Sequence, residues 1–270
     1  MRILSIEKTP VHEWTYLSAA PRGGSELRHL PLLPATVDAL PAELEALIVT
    51  SDLQGVATSA EHEGAAALVG EVLAEELAIL ADLGELPHAN HMGILLAGDL
   101  YSDASGAVRG ASGDVRSVWS AFAERFRWVA GVAGNHDTFG TPRERERLLQ
   151  RPGLHLLDGE VRELDGLPVG GLSGIIGQAG KLWRREEEDY LAALREVLGG
   201  GPEVLVLHQG PDEPSTERRG SPAIRAELES REGLLVICGH SHWEEPLGVL
   251  PGGTQVLNVD GRAVLLRRGG

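Results

Sequence analysis

Apolar residues fall into short continuous runs that stop abruptly at polar clusters. Leu47-Ile48-Val49-Thr50 stops at Ser51-Asp52. Met92 to Ala97 stops at Gly98-Asp99, and Trp128 to Ala133 stops at Gly134-Asn135-His136-Asp137. Unbroken apolar runs of this length suit strands buried on both faces. Between the runs, residues 62–83 and 114–126 place apolar side chains at helical spacing. The pattern predicts strands that each end in a polar cluster, with helices between them.

The second half is richer in strands. Leu154 to Gly177 combines closely spaced glycines with short apolar runs, as hairpins do. Residues 183–198 read as an acidic amphipathic helix. Val204 to Leu207 is a strand that ends at His208, and Leu234 to Ile237 is one that ends at Cys238-Gly239-His240. Thr254 to Leu266 supplies one or two closing strands. Residues 1–45 are the least regular part. There MRILSI and EWTYLSA read as short strands, and Pro31 to Pro41 as a connection over the surface. No repeat or linker interrupts the chain. The expectation is one domain over residues 1–270, with 1–45 a segment of uncertain structure. Its class is α/β, two mixed sheets sandwiched between helices.

Composition changes this picture little. The 42% hydrophobic and 24% charged residues are ordinary for a globular chain, and the 4% aromatic content points to an aliphatic core. A formal net charge of −16 repels polyanions at long range, so broad nucleic-acid binding is not expected. A small anionic substrate stays compatible, because bound cations reverse the local field. The single cysteine, Cys238, excludes an internal disulfide and reads as a buried thiol. No stretch approaches the roughly 18–20 apolar residues that span a bilayer, and the N-terminal run is too short for a signal peptide. A soluble cytoplasmic protein is expected.

The polar clusters carry the chemistry. In open α/β sheets, ligands bind beyond the carboxyl ends of strands. The clusters at those ends are Asp52-Leu-Gln54, Gly-Asp99-Leu-Tyr-Ser-Asp103, Gly-Asn135-His136-Asp137, His208 and Gly-His240-Ser-His242. Carboxylates and imidazoles are the donors that divalent Mn, Fe, Co, Ni and Zn accept.

In this order, the five segments resemble the calcineurin-like metallophosphoesterase superfamily, whose pattern runs D-x-H, GD-x-x-D, GNH-D/E, a strand-end H and GH-x-H. The resemblance extends from about residue 47 to 260. It implies a two-metal site, with Mn the first expectation and Fe, Ni, Co or Zn alternatives. Asp99 bridges the metals; Asp52, residue 54 and His242 hold one, and Asn135, His208 and His240 hold the other. A metal-bound hydroxide then attacks phosphorus. By the same resemblance His136 is the general acid and Asp103 orients its ring, while Asp137 either orients the site or caps a helix.

Position 54 departs from the pattern. Gln54 stands where the family usually has His, and an amide oxygen is a neutral, harder donor than imidazole. Three outcomes are open. Gln54 binds metal and shifts preference toward Mn or Mg, or it holds a metal-bound water, or that position is weak and only one metal binds tightly.

Side chains outside the five segments read mostly as structural. Trp243 is taken as packing rather than a stacking platform, and Lys181, Arg184 and Arg185 as solvated rather than phosphate-binding. Tyr101 either lines the pocket or packs beside it. His12, His29, His62, His88, His91 and His155 are surface or satisfied histidines. The loop 211–222, with Arg218 and Arg219, is read as flexible and solvated. Asp103 is followed by Ala104-Ser105, without the Arg of the superfamily's protein Ser/Thr phosphatases, and the long added domains of its repair nucleases are not seen. The expected activity is therefore hydrolysis of a small phosphomonoester or phosphodiester, nucleotides included. The alternative is a ligand-depleted, non-catalytic interaction scaffold. Oligomeric state is left open.

Overall fold

The computed structural model describes residues 1–62 and 65–269, without the side chains of 59–65. The expectation for the His62 ring lies outside the described residues. The first half runs β1 (Ile3–Ile6), β2 (His12–Ala19), β3 (Ser25–Val37), β4 (Ala46–Thr50), β5 (Val56–His62), β6 (Ala65–Leu68), α1 (Val69–Asp82), β7 (Met92–Leu96), β8 (Gly113–Asp114), α2 (Arg116–Arg125), β9 (Trp128–Gly131), β10 (Asp137–Thr138), α3 (Pro142–Leu149) and β11 (Leu154–Leu156). The second half adds β12 (Glu160–Leu164), β13 (Leu167–Leu172), β14 (Ile175–Ile176), β15 (Arg184–Arg185), α4 (Glu187–Gly199), β16 (Val204–Gln209), α5 (Pro222–Leu228), β17 (Leu235–Gly239), β18 (Leu247–Val249), β19 (Gln255–Asn258) and β20 (Ala263–Arg268).

Two sheets dominate. The larger has ten strands in the order β11-β9-β7-β4-β20-β3-β2-β5-β6, with β1 also on β3. The smaller has six, in the order β12-β13-β16-β17-β19-β18. Strands β4, β7 and β9 are parallel to one another, as are β16, β17 and β19.

Alternation along the central strands explains why they are apolar throughout. In β4, Ala46 and Ile48 pack toward α1 and α2, while Leu47 and Val49 pack against the other sheet. In β16, Val204 and Val206 meet the larger sheet, while Leu205 and Leu207 meet α4 and α5. Successive side chains point to opposite faces, and both faces are covered. The result is four layers: helices, sheet, sheet, helices.

Four sequence expectations shift. The helix expected over 62–83 begins only at Val69, because residues 65–68 pair with β5 and Glu71 accepts the Leu68 N–H at 2.8 Å. The helix expected from 183 begins at Glu187, because Arg184 and Arg185 pair with β14. Within Leu154 to Gly177, only β12 and β13 form a hairpin, through Asp165 and Gly166 at φ 51° and 85°, while β11 runs parallel to β9. Most of the Pro-rich segment read as a surface connection is the C-terminal half of β3, between β20 and β1. Pro34 loses a ladder donor there, but its carbonyl still accepts the Glu7 N–H at 2.9 Å. Residues 1–45 thus supply three strands to the larger sheet. Among the described residues, no helix is long and apolar enough to cross a membrane.

The tight join between β7 and β9 yields a test of the packing. Gly93 pairs with Trp128, and a Cβ at residue 93 would lie 2.4 Å from the indole ring. That ring is pinned by its Nε1 donating to Asp165 at 2.7 Å. Gly93→Ala is expected to lower unfolding free energy by about 1–3 kcal/mol through overpacking. An unchanged urea midpoint would contradict this.

Candidate metal centre

The polar clusters converge on one edge of the sandwich. Asp52 follows β4, Asp99 follows β7, Asn135 and His136 lie between β9 and β10, His208 is in β16, and His240 follows β17. Asp52, Asp99 and His240 have φ of 55°, 54° and 66°. Left-handed backbone costs a non-glycine residue roughly 1–2 kcal/mol. Each of these three residues turns the chain as its strand ends, and each carries a side chain of the site. Adjacent glycines make room. A Cβ at Gly134 would lie 2.0 Å from Asp99 Oδ1, and one at Gly239 would lie 2.1 Å from Asp52 Oδ2.

Asp137 holds this arrangement together. Its fully buried carboxylate accepts the backbone N–H groups of Asp99 (2.9 Å), Leu100 (2.8 Å) and Gly134 (2.8 Å). Burial and the nearby Asp99 charge push its carboxyl up to about 6, against the pull of those N–H donors. Asp137 is thus an orienting residue of the strand ends, and it lies in β10 rather than at a helix start. Asp99 in turn accepts the His136 N–H at 2.9 Å.

Asp99, His208 and His240 bring ligand atoms within 4.8 Å of one another. Ala97 O can only accept, so His208 Nδ1 donates to it at 2.8 Å and Nε2 is left facing Asp99 Oδ2 at 3.3 Å. Fixing one ring nitrogen on a carbonyl is how proteins aim the other at a metal. His208 Nε2 and Asn135 Oδ1 are both buried without a hydrogen-bond partner. An orphaned amide oxygen and an imidazole nitrogen whose nearest partner is a carboxylate, beside a second imidazole, fit a divalent cation. The electrostatics of the metal-free cluster agree. Burial disfavours a charge on His208, but Asp99 and then Asp52 outweigh it and raise its pKa to about 10. Burial and the charged His208 lower His240 to about 4, so its ring stays neutral.

The other half of the set is looser. Asp52 Oδ2 accepts from Ser51 Oγ at 2.5 Å and from the His240 N–H at 2.9 Å. Burial, then the charge of Asp260, drive its carboxyl well above the usual range. Gln54 reaches the site, with its amide nitrogen 3.2 Å from Asp99 Oδ2. His242 is 63% exposed at the side chain; its Nδ1 lies 3.3 Å from Asp260 Oδ1, and an Arg262 nitrogen is 3.3 Å from its Nε2.

His136 lines the same cavity, but its expected partner is replaced. Ser112 Oγ lies 3.1 Å from His136 Nδ1, because β8 pairs with β10 and brings Ser112 alongside. Asp103 instead caps its own loop, accepting the N–H groups of Ser105 (2.9 Å) and Val108 (2.8 Å). The Asp103–His136 contact expected from the sequence is not formed.

The cavity above these groups has a volume of about 970 Å³. Its walls include Tyr101, Trp243, Arg28 and Tyr16 of the N-terminal strands, and Thr216 to Arg219. Tyr101 therefore lines the pocket. Trp243 is buried, as its packing reading requires, yet it also borders the cavity, with Arg218 5.2 Å over its ring. The tip of the 211–222 loop is exposed, as the solvated reading expects, but the loop is not loose. Glu213 accepts from Ser215 N at 3.1 Å and faces Arg218 at 3.3 Å, and bridges 211–221 and 213–218 close the loop on itself. Lys181, Arg184 and Arg185 lie away from the cavity walls, and Arg185 pairs with Asp158 at 2.8 Å. Cys238 is buried, and its thiol is pushed up to about 12 by burial. Ser112, Asp260 and Arg262 lie outside the five segments, and no motif marks them; the β8–β10 pairing and the Ser51–Asp260 bridge bring them to the site.

A four-layer sandwich with an Asp/Asn/His cluster at its strand ends is the architecture of a metal-dependent phosphoesterase. The chain matches the calcineurin-like phosphoesterase family over residues 46–244 and belongs to it. Among solved structures it is similar to TT1561 of Thermus thermophilus, with a TM-score of 0.55 and 17% identity over 81% of this chain and 90% of that one. That likeness is one of fold. No curated protein matches the chain.

Two outcomes are expected. A His208 raised to about 10 is protonated at neutral pH in the metal-free protein, and a metal must displace that proton. Metal binding near pH 7 is therefore expected to release about one proton from this ring, and apparent affinity to rise with pH. Calorimetric heats independent of the buffer's ionisation enthalpy would contradict this. Asp137→Asn presents an amide to three N–H donors and cannot accept all of them. It is expected to destabilise the protein by about 3 kcal/mol, since hydrogen bonds to a charged group each contribute roughly 1.5–3 kcal/mol. The check is the urea midpoint at constant slope.

Proposed function

We propose that the chain hydrolyses a small phosphomonoester or phosphodiester, with divalent metal ions held by Asp52, Asp99, Asn135, His208, His240 and His242. The observation that carries this reading is the convergence of Asp99, His208 and His240 ligand atoms within 4.8 Å at the base of an open cavity. Divalent cations held there supply Lewis-acid polarisation of the phosphoryl group and acidify water. Asp99 Oδ2 faces both His208 Nε2 at 3.3 Å and the Gln54 amide nitrogen at 3.2 Å, which supports reading it as the ligand that the two halves would share. Gln54 is the neutral donor of the looser half, and its amide favours Mn over softer ions.

His136 is the proton donor to the leaving oxygen. Its backbone is anchored on Asp99, and Ser112 engages Nδ1, which leaves Nε2 to exchange the proton. Asp103 shapes the wall around it by fixing the loop 103–108. The Arg28, Arg109, Arg218 and Arg219 side chains along the cavity offset the acidic surface and suit an anionic substrate.

The test compares wild type with His136→Ala on p-nitrophenyl phosphate and its bis ester in the presence of Mn. The variant is expected to lose about 10²-fold or more in kcat on at least one ester, the usual contribution of a positioned acid. The protein as purified is expected to hold fewer than two equivalents of metal, and added Mn to raise activity. Wild type no faster than the variant on either ester, with any divalent metal, would favour the interaction-scaffold reading.

A further inference from the structure

The looser half of the site contains a carboxylate that the family pattern does not provide for. Asp260 lies between β19 and β20, and its backbone bridges to Ser51, directly beside Asp52. The Gly261 N–H donates to Ser51 O at 3.2 Å and locks that junction. Asp260 lines the cavity with Asp52, Gln54 and His242, and its Oδ1 is 3.3 Å from His242 Nδ1.

The surrounding charges leave this carboxylate without a strong protein counter-ion. Arg262 is the nearest guanidinium by sequence, but it is spent on backbone carbonyls: Trp243 O at 2.5 Å, Glu244 O at 3.3 Å and Asp260 O at 3.4 Å. Among the described residues, the only ion-pair partner of the Asp260 side chain is the His242 ring. Asp52, Asp99 and Asp260 therefore share one cavity, and Arg262, which lies beside the His242 ring at 3.3 Å, forms no ion pair with the Asp260 carboxylate, an arrangement that a cation would balance.

Resting on the metal-site reading above, we propose that Asp260 is a direct ligand of the metal position formed by Asp52 and His242, supplying the donor that Gln54 provides only weakly. A carboxylate there keeps the first position oxygen-rich, which matches hard ions such as Mn or Mg. The competing role is orientation alone, with Asp260 accepting from His242 Nδ1.

Asp260→Asn separates the two, because an Asn oxygen still accepts that hydrogen bond but carries no charge. Metal-stripped wild type, Asp260→Asn, Gln54→His and the double variant are titrated with MnCl2 by calorimetry, with metal content checked by elemental analysis. Circular dichroism confirms the fold of each. Wild type is expected to bind two equivalents. Asp260→Asn is expected to keep one and to lose the other or weaken it by more than about 100-fold, beyond the 10–100-fold that an orienting partner costs. Gln54→His is expected to return the second equivalent to the double variant. A milder loss in Asp260→Asn, or a double variant that stays at one equivalent, overturns the assignment. Wild type binding no Mn would overturn the metal-site reading itself, whereas two unchanged equivalents in Asp260→Asn would overturn only the role of Asp260.

Discussion

The site depends on one buried carboxylate that never reaches the cavity. Asp137 gathers the N–H groups of Asp99, Leu100 and Gly134, so the ends of β7 and β9 are fixed to a common point. Strand ends have no ladder partner for these donors, and an unpaired buried N–H is costly. Satisfying three of them with one anion removes that penalty and dictates where Asp99 begins its left-handed turn. Asp99 then anchors the His136 backbone and faces His208. Without Asp137, the four layers would still pack, but the loops between strands and helices would have no common reference.

Strain is the second half of that arrangement. Three non-glycine residues with φ between 54° and 66° cluster at the site, and Asp52 is held by Ser51 and by the His240 N–H. Such conformations persist only where the surroundings over-determine them. Here the sandwich itself does so. Leu47, Val49, Leu95, Val206 and Ile237 lock the strands face to face, and the turns that follow must fit between two rigid sheets. The folding energy of the core is thereby coupled to the geometry of a polar cluster that contributes little stability of its own.

Much of this was legible in the sequence, for a physical reason. The apolar runs of β4, β7, β9, β16 and β17 are continuous because both faces of each strand are covered, and each run ends where the polar cluster begins. Their order carried the family and the ligand candidates. What could not be read depends on contacts between distant segments. The β3 strand hides behind prolines whose missing donors are tolerated only because of what β1 and β20 place beside them. Ser112 takes the place expected of Asp103 because β8 pairs with β10. The Ala-rich start of the expected 62–83 helix is strand because β5 pairs with it, a tertiary preference that overrides local propensity.

The two halves of the site differ in a way that bears on how they hold metal. Asp99, His208, His240 and Asn135 sit low between the sheets, and two of their donor atoms have no other partner. A cation there would compete with the proton on His208 and with the Gln54 amide for Asp99 Oδ2. On the other side His242 is mostly exposed, Gln54 is neutral, and the nearest guanidinium approaches the ring that should bind. A cation held there, as proposed, would have to overcome Arg262, so its binding would rest on the negative charge around it rather than on enclosure. Asp99 and His240 of the buried half and Asp52, Gln54 and His242 of the open half all line the arginine-bearing cavity, so both halves meet on its floor.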